Sequence, residues 1–349
     1  MTVVAARAEF VIGVDTHKQT HTGAVVDALG AELALTTCPA TQAGYRDLLL
    51  FARAHSAGSR CWAIEGTGSY GRGLTSYLLA HGERVFEIDR PQRPARRNGA
   101  KNDELDATRA AREWLMRPDP SQPRRRGWRE ALRVLLRTRK SAIKSSSQAM
   151  CHLKSLVVTA PMALRQRLDP LNATALVTAC ARLRGSKTHD VEHRLTVCVL
   201  RSTARRIQAL DQEAQVLKAE LETLIEQRVP ELLAEPGVGP ISAAEVVCAW
   251  SHHGRIRSEA AFAMLAGAAP IPASSGQTTR HRLNRGGDRQ LNCALHTIAR
   301  SRLIRHEETQ RYAARRTAEG KTPREIRRCI KRALARRLYK LLEALPMPT

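Results

Sequence analysis

The run Phe10-Val11-Ile12-Gly13-Val14-Asp15 constrains the fold of this chain more than any other segment. It is apolar without alternation, the pattern of a strand covered on both faces, and it ends on an acid. Thr22-Gly23-Ala24-Val25-Val26 reads as its hairpin neighbour. Cys61-Trp62-Ala63-Ile64-Glu65 is another strand ending on an acid, and Val85-Phe86-Glu87-Ile88 a further one. Between them, Tyr45 to His55 and Leu74 to His81 carry helical spacing. Strands alternating with helices predict an α/β domain, and this texture holds to about Pro123.

Strand signal then almost disappears. From Ile207 the apolar residues fall at 207, 210, 214, 217, 221 and 224, the alternating three-four spacing of a heptad seam. The helix predicted from Trp128 to Val157 shows a weaker version at Leu136, Ile143, Met150 and Val157. Coiled-coil pairing is expected, within the chain or between chains, with an ordinary core-facing helix as the alternative. Beyond Pro230 the pattern becomes short helices joined by Gly/Pro turns, ending in a basic helix from Pro323 to Leu345. The expected division is therefore 8–126, 127–229 and 230–349.

Charge narrows the partners. The chain of 349 residues has 57 Lys/Arg against 33 Asp/Glu, a formal net charge of +24. Nineteen of the cations and six of the acids lie from Arg280 onward, and a second basic cluster runs from Arg124 to Lys140. Such an excess attracts polyanions, nucleic acid first among them, although a solvated basic surface is the plain alternative. The most apolar run, Ala260 to Ala273, is broken by Gly267, Pro270 and Pro272, so no membrane span is expected. Met1 to Ala6 is too short for the apolar core of a secretion signal, and a cytoplasmic protein is expected. The eight cysteines include no Cys-x-x-Cys pair and read as buried reduced thiols. His189 and His193 are four apart but have no evident further ligands.

Three constellations carry chemistry. Asp15 and Glu65 each end a predicted strand, where α/β sheets place their ligands. Asp103 and Asp106 are three apart and share a face if a helix begins there. Four carboxylates converging on one point suit Mg2+, with Mn2+ also accepted by an all-oxygen site. Singly, each acid has a plain alternative, Asp103 as a helix N-cap and Glu65 as a strand-end surface charge, and it is the joint pattern that is specific. The second constellation is Ser274-Ser275-Gly276, followed by Arg280, Arg282, Arg285 and the Gly286-Gly287 turn. It offers an exposed hydroxyl, cations and a pliant backbone for attack on phosphate, or else a basic loop that only grips a backbone. The third is Glu235-Pro236-Gly237-Val238-Gly239, which fits the turn of a helix-hairpin-helix. There Gly237 and Gly239 bring backbone N–H groups to a nucleic-acid phosphate, with a plain interhelical turn as the alternative.

These segments, in this order, resemble the DEDD-type insertion-sequence transposases described as bridge-RNA-guided recombinases. The likeness includes Ile12-Gly13-Val14-Asp15, Glu65-Gly66-Thr67-Gly68-Ser69-Tyr70 and Asn102-Asp103-x-x-Asp106. It extends to Pro236-Gly237-Val238-Gly239, Ala266 to Pro272, the Ser-Ser-Gly segment and the tail from Arg311 to Lys321. The resemblance implies a ribonuclease-H-like (Holliday-resolvase-like) α/β N-terminal domain and a helical coiled-coil middle. It implies a mainly α C-terminal transposase domain with a helix-hairpin-helix-like turn. By the same resemblance Asp15, Glu65, Asp103 and Asp106 form a catalytic metal-binding tetrad and Ser275, directly before Gly276, is the nucleophile. The implied partners are donor and target DNA, a structured guide RNA and further copies of the chain, as a dimer or tetramer with the catalytic centre composed across protomers.

Two rival readings stand beside it. A junction-resolving endonuclease would cut with water through the acids alone, and the long C-terminal region argues against it. A non-enzymatic nucleic-acid-binding protein would not need the acids at all.

Overall fold

The computed structural model describes residues 8–88, 102–117, 121–185, 190–273, 281–282 and 284–346. The chain divides into two compact units, Met1–Arg125 with Gly254–Ile256, and Arg126–His253 with Arg257–Thr349.

The first unit follows the order β1 (Phe10–Thr16), β2 (Thr20–Asp27), β3 (Glu32–Pro39), α1 (Gln42–His55), β4 (Arg60–Glu65), α2 (Arg72–Ala80), β5 (Val85–Ile88) and α3 (Asp103–Met116). Its sheet is ordered β3-β2-β1-β4-β5. The pairs β1/β2 and β2/β3 are antiparallel, and β1/β4 and β4/β5 are parallel. The uninterrupted apolar run becomes the central strand, buried from Val11 to Thr16. Alternation then sorts the side chains between two layers. Ile12, Val14, Trp62 and Ile64 pack with Leu48 and Ala52 of α1 and Leu74 and Leu78 of α2. Val11, Cys61 and Ala63 pack on the other side with Ala111 and Trp114 of α3. The expected strands and helices are present. Strand β3 is an addition, because this edge strand buries only Cys38 and shows no apolar period.

A polar group is locked into this core. Glu83 accepts hydrogen bonds from Trp62 Nε1 at 3.0 Å and from Arg60 at 2.6 and 2.9 Å. Burial pushes its carboxyl up, but the Arg60 and Trp62 hydrogen bonds and the Arg60 charge outweigh that and hold it below its ordinary value.

The second unit is mostly helical: α4 (Trp128–Val158), α5 (Met162–Leu168), α6 (Ala173–Ala181), α7 (Val191–Arg228), α8 (Pro230–Ala234), α9 (Pro240–Trp250) and α10 (Glu259–Leu265). A two-strand ladder of β6 (Ile271–Pro272) and β7 (His281–Arg282) follows, then α11 (Arg289–Arg305), α12 (Glu307–Ala318) and α13 (Pro323–Ala344). Helices α4 and α7 lie antiparallel. Leu153 and Val157 near the end of one meet Val197, Leu200 and Ala204 near the start of the other, while Leu164, Leu168, Leu176 and Cys180 of α5 and α6 close that end. On α7 the seam residues Ile207, Ala214 and Leu221 are buried, and Leu210, Leu217 and Leu224 half-buried. On α4 the expected line holds at Leu136 and Val157, which are buried, and at Met150, which packs against the same core, but not at Ile143. Ala142, Ala149 and Leu153 are buried, whereas Ile143 is exposed. Alanines let two backbones approach closely, so the seam runs through small residues that an apolar-size pattern passes over. Among the cysteines, 38, 61, 180 and 248 are buried free thiols as expected, but Cys151, Cys198 and Cys293 are exposed on helix surfaces.

Candidate active site

The site is built where β1 ends. Asp15 has the same parity as Val11 and Gly13, so it faces the α3 layer, and Glu65 follows Cys61 and Ala63 on β4 to the same face. The register Val14↔Ile64 sets Glu65 beside Asp15, and Thr16 Oγ1 donates to the Glu65 carbonyl at 2.9 Å, tying the strand ends together. Gly66 turns the chain away with φ of 71°, a conformation glycine adopts without strain.

Helix α3 approaches through a glycine. A Cβ on Gly13 would lie 2.0 Å from the Ala107 carbonyl oxygen and 2.7 Å from the Ala111 nitrogen, so α3 rests directly on the β1 backbone. Asp15 is two strand residues beyond that contact, about 7 Å. Asp103 is four helix residues before it, about 6 Å. The two acids therefore meet at one end of the layer. Asn102 caps α3, its Oδ1 accepting from Glu104 N–H at 3.1 Å, and Asp103, Glu104 and Asp106 fill the first turn, where the helix dipole favours negative charge.

The convergence is visible in both distance and charge. His17 Nε2 lies 3.2 Å from Asp15 Oδ2 and 3.3 Å from Asp103 Oδ1, and donor atoms of Asp15, His17 and Asp103 all lie within 4.8 Å of one another. Asp106 Oδ1 accepts from Arg109 Nη1 at 2.8 Å. Burial pushes the Asp15 carboxyl above its ordinary value. The His17 charge opposes this, and the charges of Asp103 and Asp106 add to it. A desolvated carboxylate facing two more is the electrostatic setting that a divalent cation reverses, and the hard oxygen donors suit one. His17 is the residue that sequence reading missed. Its signal was Asp15-x-His17 at a strand end, which puts both side chains on one side.

The second unit carries the other expected residues. Gly237 adopts φ of 78°, and a Cβ there would lie 3.1 Å from the Ile298 carbonyl, so both conformation and close packing require glycine. Gly239 precedes α9 and its N–H donates to Ser242 Oγ at 3.0 Å. Residues 236–239, Ser301, Arg302, Arg305 and His306 line an open cavity of about 330 Å³. Arg302 braces the turn from below, donating to Pro236 O at 2.6 Å and to Glu235 at 3.0 Å. Arg282 and Arg285 are exposed. Ser274, Ser275, Arg280 and His189 lie outside the described residues. The β6/β7 ladder, Ile271↔Arg282 and Pro272↔His281, pairs the segments on either side of the serines.

A family model for transposases of the DEDD IS110 type matches residues 12–160, which hold all four acids. A second, the transposase IS116/IS110/IS902 family, matches residues 230–314, which hold the glycine turn and the serine segment. The chain belongs to the IS110 family of DEDD transposases. No curated protein matches it. The transposase is thus a DNA-processing enzyme of insertion-sequence mobility, and DNA is its partner. Its mixed α/β sheet with a helical remainder is compatible with a ribonuclease-H-like DEDD domain. Among the described residues, no helix of the transposase is long and apolar enough to cross a membrane.

Proposed function

We propose that this transposase cuts and rejoins DNA by serine attack on a phosphodiester, with the carboxylates of residues 8–126 and the serine of residues 230–349 acting in one composite centre. The observation that carries this reading is the convergence of Asp15 and Asp103 on His17 beside Asp106 and Glu65, in a chain whose second family match spans a Ser-Gly segment. Asp15, Glu65, Asp103 and Asp106 would hold Mg2+, or Mn2+. A bound divalent ion supplies charge neutralisation at the phosphate oxygens.

The chain's own groups do the rest. Ser275 Oγ forms a bond to phosphorus as a P–O bond to deoxyribose breaks, and the released deoxyribose hydroxyl takes up the proton that serine gave. The phosphoserine ester keeps the bond energy, so the reverse attack by another hydroxyl rejoins strands without ATP. Arg280, Arg282 and Arg285 neutralise charge developing on the phosphate. The glycine turn at Gly237 and Gly239, read as a helix-hairpin-helix, holds a backbone phosphate that displaces Ser242 Oγ from the Gly239 N–H, a reading supported by the open cavity that Arg305 and His306 line. Residues 127–229 pair as a coiled coil and join protomers into a dimer or tetramer, bringing one copy's acids to another's serine. A structured RNA that pairs with donor and target DNA occupies part of the basic surface, consistent with a net charge of +24.

Denaturing electrophoresis tests the reading, using full-length protein, Mg2+, labelled element-end DNA and RNA transcribed from the flanking non-coding region. Wild type, Asp15→Ala and Ser275→Ala run side by side. A protein–DNA adduct in wild type alone supports it. Cleavage without adduct that survives Ser275→Ala, with Ser274 also replaced, and disappears with Asp15→Ala makes the protein a hydrolytic junction nuclease instead.

A further inference from the structure

We infer that His17 is itself a donor to the divalent-cation site, placing an imidazole nitrogen among the carboxylate oxygens and turning the site's preference from Mg2+ toward Mn2+. The inference rests on the carboxylate reading above and adds a residue to it.

Geometry carries the argument. Donors on adjacent corners of an octahedron about 2.1 Å from a metal lie about 3 Å apart. His17 Nε2 is 3.2 Å from Asp15 Oδ2 and 3.3 Å from Asp103 Oδ1, so one nitrogen stands at near-corner spacing from two oxygens of two different elements. Those elements are fixed independently. Asp15 is held in the buried end of β1, and Asp103 is held by the α3 contact on Gly13. His17 follows Asp15 by two residues, so its ring returns to the same side as the carboxylate. Its side chain is only partly exposed, at 39%. In the metal-free protein the same nitrogen pairs with both acids, hydrogen-bonding Asp15, and a bound ion would take the place of that proton.

The donor type decides the metal. A purely carboxylate site suits Mg2+, whereas an imidazole nitrogen is a softer donor that first-row transition ions accept more readily than Mg2+ does, and among those ions Mn2+ is the one that takes carboxylates as its usual partners. Loss of one such donor weakens binding by about 10- to 100-fold, judging from groups that act on a ligand from outside the coordination shell.

The test is Mn2+ binding to the metal-free, full-length protein, read by the loss of the free-ion electron paramagnetic resonance signal, followed by pulsed measurement of nitrogen coupling to the bound ion. Wild type, His17→Gln, and Asp15→Asn with Glu65→Gln are compared, with circular dichroism to confirm folding. The expected result is nitrogen coupling in wild type, its disappearance in His17→Gln, and Mn2+ affinity reduced about tenfold or more, with a smaller change for Mg2+. Wild-type Mn2+ bound without nitrogen coupling, or coupling that persists in His17→Gln, overturns the role of His17 and leaves the carboxylate site intact. Mn2+ binding unchanged in Asp15→Asn with Glu65→Gln overturns the carboxylate reading itself.

Discussion

Replacing Gly13 with alanine probes how the carboxylates are brought together. The added Cβ would stand 2.0 Å from the Ala107 carbonyl oxygen, and an ordinary contact needs 3.4 Å, so α3 has to withdraw by about 1.4 Å or tilt. Both atoms nearest the added Cβ are backbone, which leaves no side chain to rotate away. Overpacking of this kind costs about 1–3 kcal/mol. In a unit of this size that corresponds to a loss of roughly 3–15 °C in Tm. The functional loss should be larger, because α3 carries Asp103 and Asp106, and a misplacement of about 1 Å lowers rates by about 100-fold. Thermal melting and the rate of Mg2+-dependent cleavage of element-end DNA are the readouts. Gly68→Ala serves as the stability control, since a Cβ there meets nothing within 4 Å. A Gly13→Ala protein that melts within about 2 °C of wild type, less than about 1 kcal/mol is worth in a unit of this size, and cleaves at an undiminished rate would refute the idea that this contact positions the acids.

Three further outcomes are expected. Asp15 has its carboxyl raised by burial and by Asp103 and Asp106, so its stability contribution is full in acid and lost as pH rises through the folded value; Asp15→Asn should therefore raise the metal-free Tm at pH 7 while abolishing metal-dependent cleavage, and a fall in Tm at pH 7 contradicts this. Glu83 behaves oppositely: its lowered carboxyl stabilises above the ordinary value of 4.5 and fades as pH falls through the folded value. Glu83→Gln, which strands Arg60, should cost about 3 kcal/mol by urea denaturation at pH 7 and much less in acid, with an equal deficit at both pH values arguing against the ion pair. Arg302→Met leaves the buried Glu235 with only the exposed Arg337 and frees the Pro236 carbonyl, so it should cost about 3 kcal/mol, whereas Arg337→Ala should cost under about 1 kcal/mol; similar losses for both would show that burial does not distinguish them.

What the sequence determined is what depends on near neighbours along the chain. The apolar run ending at Asp15 specified a doubly covered strand, Cys61 to Glu65 specified its parallel companion, and the helices from Tyr45, Leu74 and Trp128 followed from their periods. The four acids stood out because each occupies a strand end or a helix start. The tertiary structure decided what depends on approach between distant segments. Strand β3 exists because β2 offers it an edge, not because its own pattern requires it. The α4 seam runs through Ala142 and Ala149 because small residues let α7 come close, which no measure of residue hydrophobicity registers. His17 joined the site for the same reason: its nitrogen matters only once Gly13 has let α3 settle on β1 and bring Asp103 within 3.3 Å, and that closeness is a property of packed backbones rather than of any segment read alone.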